Sequence, residues 1–448
     1  MFKLSVVNIW IYIQKGLKTP LIRNFLIVGC ISLLSSLVSF YKETLVASSF
    51  GLSELMDTYL IAILIPSIIQ NVFIEALKKL FIPNYAIELK TTGQSGSFQT
   101  FVFLTVTILA FLLVVLAVVF VEFFLELVFS GHDQGFYDLI RSQFYIVLPC
   151  LFLWGYISFM AGILEMDDKF LISTIAKFIT PTTIILCLFL LKSSLGDMVL
   201  VSALTLGSFL TFIYYLCMNL KFGTLRFKKF LINKNMIMMV KEYPPKVTSG
   251  LLTGINPFVD QFFAAQLVMG SITAISYGVK IPGFVVSILM MALGTVLLPH
   301  FSKSINDNLE EAYRELFKIL IYIFFGSSFI IIFSFIFSSD IIRLIFEHDQ
   351  FTPDDTVVVS KLQRIAFLYV PFYLCTLICV NFLTAINKNR FMALVSLWNL
   401  ILNLVMNIVL MRYFDVYGLV MSTTVVYIVC SFLYVGYTYK QYKRSFGL

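Results

Sequence analysis

The sequence predicts an all-α polytopic membrane protein, with about twelve transmembrane helices in two six-helix lobes related by pseudo-two-fold symmetry. Three observations lead there. Of 448 residues, 59% are hydrophobic and only 13% charged, with a mean hydropathy of +0.93, whereas a soluble domain carries about 25% charged residues. Apolar stretches of about 20 residues, enough to cross a bilayer, recur along the chain. The halves also repeat one another. Pro66 and Pro83 match Pro282 and Pro299, and His132-Asp133-Gln134 returns as His348-Asp349-Gln350, all at an offset of 216. Pro149 matches Pro371 and Gly196 matches Gly418 at an offset of 222.

The chain then divides in order. Residues 1–23 hold the run Val6 to Ile13 flanked by Lys3, Lys15 and Lys18. That run is too short to span and lacks a small-residue cleavage site, so it reads as an interfacial segment. The first lobe covers 24–220, with spans at 24–48, 57–84, 99–123, 139–165, 169–191 and 196–219. The second covers 242–448, with spans at 242–268, 271–299, 315–338, 358–386, 390–411 and 416–438. The linker, 221–241, interleaves Leu225, Phe227, Phe230 and Leu231 with basic residues and reads as a basic amphipathic helix on an anionic leaflet.

Charge between the spans orients them. One set of connections carries Lys90, Lys169, Lys221, Arg226, Lys228, Lys229, Lys303, Arg314, Lys388 and Arg390. The alternate set carries mainly Glu54, Asp133, Lys192, Asp340, Arg343, Asp349, Asp354, Asp355 and Asp415. Cytoplasmic loops are enriched in Lys and Arg, so both termini are expected in the cytoplasm. The net charge of +7 thus marks orientation and does not point to nucleic acid. All seven cysteines fall in apolar segments and read as small packing residues. No nucleophile elbow, phosphate loop or metal-spaced cluster is present, so no enzyme is expected and no cofactor is called for.

Charges within apolar spans are the informative residues, because an ionised group in hydrocarbon needs a cavity or a partner. They are Lys42 and Glu43 in span 1, Asp57 and Glu75 in span 2, Lys246 and Asp260 in span 7, Lys280 in span 8 and Arg364 in span 10. Asp260 and Lys280 lie ten residues either side of Gly270. At 1.5 Å per residue each is about 15 Å from that turn, and they are expected to face one another. Lys42 and Asp57 straddle Gly51 in the same way. These charges do not follow the repeat, which suggests an asymmetric ligand on a symmetric frame. Asn399, Asn403 and Asn407 share one face of span 11, and span 12 carries Ser422, Thr423 and Thr424. With Asp260, the oxygens of Asn403, Asn407 and Thr423 form a candidate site for a monovalent cation, Na+ or H+. The same groups would also serve as inter-helix hydrogen bonds.

Several strings resemble a known family. They are Phe50-Gly51, Met56-Asp57-Thr58-Tyr59, Ile65-Pro66 and Phe81-Ile82-Pro83 around spans 1 and 2. Val259-Asp260, Gly294-Thr295-Val296-Leu297-Leu298-Pro299 and Ser302-Lys303-Ser304 follow in spans 7 and 8, and Phe351-Thr352-Pro353-Asp354-Asp355-Thr356 precedes span 10. The chain resembles the MurJ/MviN lipid II flippases of the multidrug/oligosaccharidyl-lipid/polysaccharide (MOP) exporter superfamily. That resemblance implies a cationic cavity between two lobes and a polyprenyl-pyrophosphate substrate bearing a sugar-peptide headgroup. It implies a bacterial inner-membrane location, membrane lipid as surroundings and a monomer. Family basic positions fall on Lys42 and Lys280, and two others on Ser36 and Gln70, which have lost the charge. The acidic positions fall on Asp57 and Glu75. With Lys246, these define the expected substrate-binding set. A flippase for another lipid-linked oligosaccharide, a cation-coupled drug antiporter and a membrane scaffold are the alternatives. Basic cavity residues favour a pyrophosphate over a cationic drug.

Overall fold

The computed structural model describes residues 20–91, 95–128, 131–229 and 231–447. The interfacial segment expected at 1–23 lies outside the described residues up to residue 19. Among the described residues every regular element is helical. Helix α1 is Pro20–Phe50. Helix α2 runs from Glu54–Ile69 through a π turn at Gln70–Ile74 into Glu75–Thr91. Helix α3 is Ser95–Val128, and α4 comprises Gln134–Val147 and Cys150–Met166. Helix α5 runs from Phe170–Ile175 to Ile179–Leu195, and α6 is Val199–Phe222.

In the second half, α7 comprises Lys234–Gly254 and Asn256–Ala264. Helix α8 is Ser271–Asp307 and α9 is Leu309–Ile336. A short helix, Ser338–Phe346, precedes α10, which comprises Pro353–Phe367 and Val370–Ala385. Helices α11 (389–414) and α12 (416–446) are separated by the non-helical Asp415. Nine helical runs among the described residues are long and apolar enough to cross a membrane. Two of these, Phe170–Phe222 and Asn389–Phe446, each contain two spans, and the broken α7 completes the twelve.

The repeat is visible in the backbone. Helices α4 and α10 both break where Pro149 and Pro371 stand, because proline cannot donate the helical hydrogen bond. Asp168 and Asn387 both take φ 57°. Lys169 and Lys388, which follow them, have φ/ψ of −93°/43° and −90°/38°. The turn after α5 lies at Gly196, φ 48° and ψ −124°. Its counterpart is Asp415, φ 47° and ψ −130°, and not the Gly418 expected from sequence. Gly418 serves a different need, since a Cβ there would collide with the Leu410 carbonyl.

The chain packs as two compact units. The first comprises Met1–Glu43, Ile69–Ala117 and Gln143–Pro244. Its core stacks Phe81 on Tyr85 and Phe98, with Phe159 edge-on to Phe81. The second comprises Thr44–Ile68, Val118–Ser142 and Pro245–Leu448, with Phe301, Tyr313 and Phe382 at its centre. The end of α1, the start of α2, the end of α3 and the start of α4 therefore belong to the same unit as α7 from Pro245 onward and α8 to α12.

The linker differs from the amphipathic helix expected. Residues 224–229 form no regular element and are bound to the start of α3. Gln99 Nε2 donates to the Thr224 carbonyl (2.9 Å), and Arg226 N donates to Gln99 Oε1 (2.6 Å). Thr100 Oγ1 donates to the Lys228 carbonyl at 2.8 Å. Further on, Asn233 and Asn235 donate to the buried Glu88 carboxylate. Polar side chains of α2 and α3 satisfy this backbone, so it has no need of helical hydrogen bonds. Five cysteines are buried as packing residues, while Cys30 and Cys217 are exposed on the helix surface.

Candidate functional site

The break in α7 builds the first site. Pro257 has no N–H, so the helix restarts at Asn256 and carries Asp260 one turn further on. Asn403 and Asn407 come from one face of α11, four residues apart, and Thr423 comes from α12. Asp260 Oδ1 accepts from Asn407 Nδ2 (2.9 Å) and Asn403 Nδ2 (3.2 Å), and Oδ2 accepts from Thr423 Oγ1 at 3.2 Å. Asn407 Nδ2 also donates to Asn403 Oδ1 at 3.3 Å. Both asparagines are buried. The carboxylate borders a cavity of about 270 Å³ shared with Gln261, Ser276, Tyr369, Thr423 and Tyr427.

Two acceptors there are unspent. Asn407 Oδ1 and Gln261 Oε1 are buried and make no hydrogen bond. A buried acceptor without a donor is costly, by about 1–3 kcal/mol. With the Asp260 carboxylate and the Thr423 hydroxyl, they are oxygens of the kind a hard cation takes. Here the amide nitrogens of Asn403 and Asn407 face the carboxylate, and rotation of either amide would present its oxygen instead. The residues present therefore fit a monovalent cation.

Asp57 occupies a second site. It is 4% exposed, and its Oδ1 accepts from Thr273 N (2.9 Å) and Thr273 Oγ1 (2.6 Å), while Oδ2 accepts from Gly270 N at 2.6 Å. The first N–H groups of a helix have no intrahelical acceptor, so a carboxylate from α2 caps α8 and meets the positive end of its dipole. Gly270 is required here. It has φ +86°, and a Cβ would lie 2.9 Å from the Leu52 carbonyl oxygen.

Two further contacts flank this cap. Ser48 Oγ donates to Asp349 Oδ2 (2.8 Å), and Gln350 N donates to the Ser48 carbonyl at 3.0 Å. In the other repeat, His132 Nε2 lies 3.2 Å from the Ala265 carbonyl oxygen. Each copy of the His-Asp-Gln tripeptide thus grips the end of the first helix of the opposite repeat. Sequence reasoning used that tripeptide only to mark the repeat; its offset of 216 was the signal.

Lys42 is half-buried on α1 and pairs with its neighbour Glu43. Glu75 is half-buried at the end of the π turn of α2, where its N–H donates to the Gln70 carbonyl. Lys246 is exposed on the first part of α7, and Lys280 is half-buried on α8. The structure brings Asp260, Asn403, Asn407 and Thr423 together as the sequence suggests. The hydrogen bonds of Asp260 run to α11 and α12, away from the hairpin pairing with Lys280. Those of Asp57 run to α8, not to Lys42. Thr273, Ser48 and Gln261 were not singled out from sequence.

A duplicated twelve-helix fold of this kind defines a multi-pass membrane protein, here with a carboxylate–amide site in its second repeat. A solved inward-facing MATE family transporter of the MOP superfamily matches with a TM-score of 0.75 at 10% identity, over 94% of this chain and 98% of that one. The solved lipid II flippase MurJ in an inward closed conformation matches with a TM-score of 0.80 at 22% identity, over 92% and 87%. The family model described as "Lipid II flippase MurJ" matches residues 46–447, and the chain belongs to that family. Among relatives, the probable lipid II flippase MurJ of Buchnera aphidicola subsp. Schizaphis graminum is 25% identical over 90% of this chain and 80% of its own. That of Rickettsia prowazekii is 23% identical over 94% and 85%.

Proposed function

We propose that the protein moves lipid II from the inner to the outer leaflet of a bacterial cytoplasmic membrane by alternating access, as a single chain with both termini in the cytoplasm. The observation that carries this is the family match over 46–447, nearly the full length of the chain. The charges agree with it. A pyrophosphate needs fixed cations, and Lys42, Lys246 and Lys280 would supply them. Glu75 and Asp57 complete the substrate-binding set in this reading, with Asp57 acting through α8 rather than on the headgroup.

Asp260, Asn403, Asn407 and Thr423 would hold Na+ or H+. Binding of a monovalent cation would favour one lobe arrangement over another, since a ligand shifts a conformational equilibrium by its differential affinity. The membrane potential would add about 2.3 kcal/mol per charge per 100 mV. A second substrate, another polyprenyl-linked oligosaccharide, is favoured by one observation: two family basic positions are Ser36 and Gln70 here. Depletion of the protein followed by analysis of lipid-linked precursors decides between them. Accumulation of lipid II supports the first reading; accumulation of a different undecaprenyl-linked sugar with unchanged lipid II overturns it.

A further inference from the structure

The polar face that holds Asp260 continues one helical turn beyond it. Asn256 precedes Asp260 by four residues on α7, and Asn399 precedes Asn403 by four on α11. Asn256 Nδ2 donates to Asn399 Oδ1 at 2.5 Å, and Asn399 Nδ2 lies 3.4 Å from Cys430 Sγ. These residues border a second cavity of about 200 Å³, whose wall also includes Tyr373, Thr376, Ser396 and Tyr427. Tyr427 lines the Asp260 cavity as well. Asn256 Oδ1 is buried and makes no hydrogen bond. A polar cavity with an unsatisfied acceptor is a place for water or a hydrated ion, provided it exceeds the volume of a water, about 30 Å³.

The direction of this chamber is informative. Helix α11 starts beside Lys388 and Arg390, at the end that the charge pattern assigns to the cytoplasm. Asn399 is closer to that end than Asn403, and Asn256 is closer to the start of α7 than Asp260. Four residues of helix separate the two levels by about 6 Å.

We propose that this second chamber is a station for the monovalent cation on its way between Asp260 and the cytoplasmic end of the lobe, with Asn256 Oδ1 as its first acceptor and the Tyr427 ring as the partition. The proposal rests on the cation reading of Asp260. The neutral amides of the chamber bind less firmly than the carboxylate, as a transit position requires, because an ion must be able to leave as well as enter. The chamber sets the rate at which the site fills and empties, whereas Asp260 sets its affinity.

The test uses the purified full chain in lipid nanodiscs, with Na+ as the probe against choline at constant ionic strength. Trp398, next to Asn399, serves as a fluorescence reporter after Trp10→Phe and Trp154→Phe. Two variants fill the chamber from different walls, Asn256→Leu and Ser396→Leu, and their melting temperatures check folding. The expected result is a Na+ response slowed by about tenfold or more, the rate effect of a modest added barrier. The half-saturating Na+ concentration should stay within about threefold of the wild type, a small change on the affinity scale. Asp260→Asn should abolish the response. Unchanged rates in both variants overturn the station and leave the Asp260 site standing. A half-saturation point shifted in step with the rate also overturns it, because Asn256 would then belong to the site itself. If the wild type responds to neither Na+ nor a pH step, the cation reading fails, and the station with it.

Discussion

Asp57 and Thr273 are repeat mates, 216 residues apart, and they hydrogen-bond to each other. A residue can touch its own symmetry mate only where the two copies meet at equivalent surfaces. The flanking contacts obey the same rule. Ser48 meets Asp349 and Gln350, and the reciprocal pair at an offset of 216 would join Ala264 to Asp133 and Gln134. The observed contact, His132 to Ala265, is one residue away. The seam is therefore isologous in the sense used for two-fold dimers.

Weakening the cap should open the seam in a graded way. Asp57→Asn replaces one of two acceptor oxygens with an NH2, so either the Gly270 N–H or the Thr273 N–H loses its acceptor, whereas Thr273→Val removes one of three hydrogen bonds. The seam should lose about 1–3 kcal/mol in the first case and less in the second. Hydrogen exchange at the first turn of α8 measures both. Equal protection in Asp57→Asn and wild type contradicts the assignment.

Either flanking contact should be able to lock the protein. Paired Ser48→Cys and Asp349→Cys changes, or His132→Cys with Ala265→Cys, joined by a short bifunctional reagent, are expected to stop transport, and cleavage of the linker should restore it. Transport that continues with full cross-linking would show that the seam does not open during the cycle.

Neutralising the fixed cations should remove function without removing the protein. Lys42→Ala and Lys280→Ala are each expected to fail in a complementation assay while remaining in the membrane fraction. Leaving either lysine in hydrocarbon would cost about 3 kcal/mol, so a polar environment is needed at both positions. Full activity of both single variants excludes a role in substrate binding.

For Asp260, the hydrogen bonds to α11 and α12 dictate the result. Asp260→Asn combined with Lys280→Gln should stay inactive, because the pair is not what the carboxylate serves. Asn407→Ala should weaken Na+ binding by about 10–100-fold, the usual cost of a lost metal-site partner. Restored transport in the double variant would reinstate the Lys280 pairing.

The loop before α10 has its own acid response. Thr356 Oγ1 donates to Glu347 Oε2 at 2.7 Å, and Arg343 Nε donates to Oε1 at 3.2 Å. The Thr356 hydroxyl first, and then Arg343, hold the Glu347 carboxyl below its ordinary value of 4.5. Its folded-state pKa is lowered, so the loop gains order above the unfolded value and loses it as pH falls through the folded one. In Thr356→Val the NMR titration of Glu347 should move upward, and an unmoved midpoint counts against the hydroxyl as the cause.

Much of this architecture is legible in the sequence. Apolar length sets the spans, Pro149 and Pro371 set the breaks, and the four-residue spacing of Asn403 and Asn407 reveals a polar face that Asp260 meets. Other features depend on tertiary partners. Leu225 and Phe227 alternate with basic residues equally well in a non-helical strap, and Ser97, Gln99 and Thr100 on α3 help to select that form. The turn after α11 falls on Asp415, which takes the backbone conformation of its repeat mate Gly196, while the glycine that sequence matching favoured is needed for a close approach to the Leu410 carbonyl. Asp57 reads as a headgroup ligand until the bare N–H groups of α8 are placed beside it.

The cap on α8 also bears on how such a chain arises. In a dimer of two identical six-helix chains, a carboxylate at this seam would face a second carboxylate, and like charges at close range resist joint ionisation. Fusion into one polypeptide frees the two positions to diverge. One becomes an acceptor, Asp57, and the other a donor, Thr273. The side-chain hydrogen bond between them needs two different residues at equivalent positions, which two identical chains on a two-fold axis could not supply.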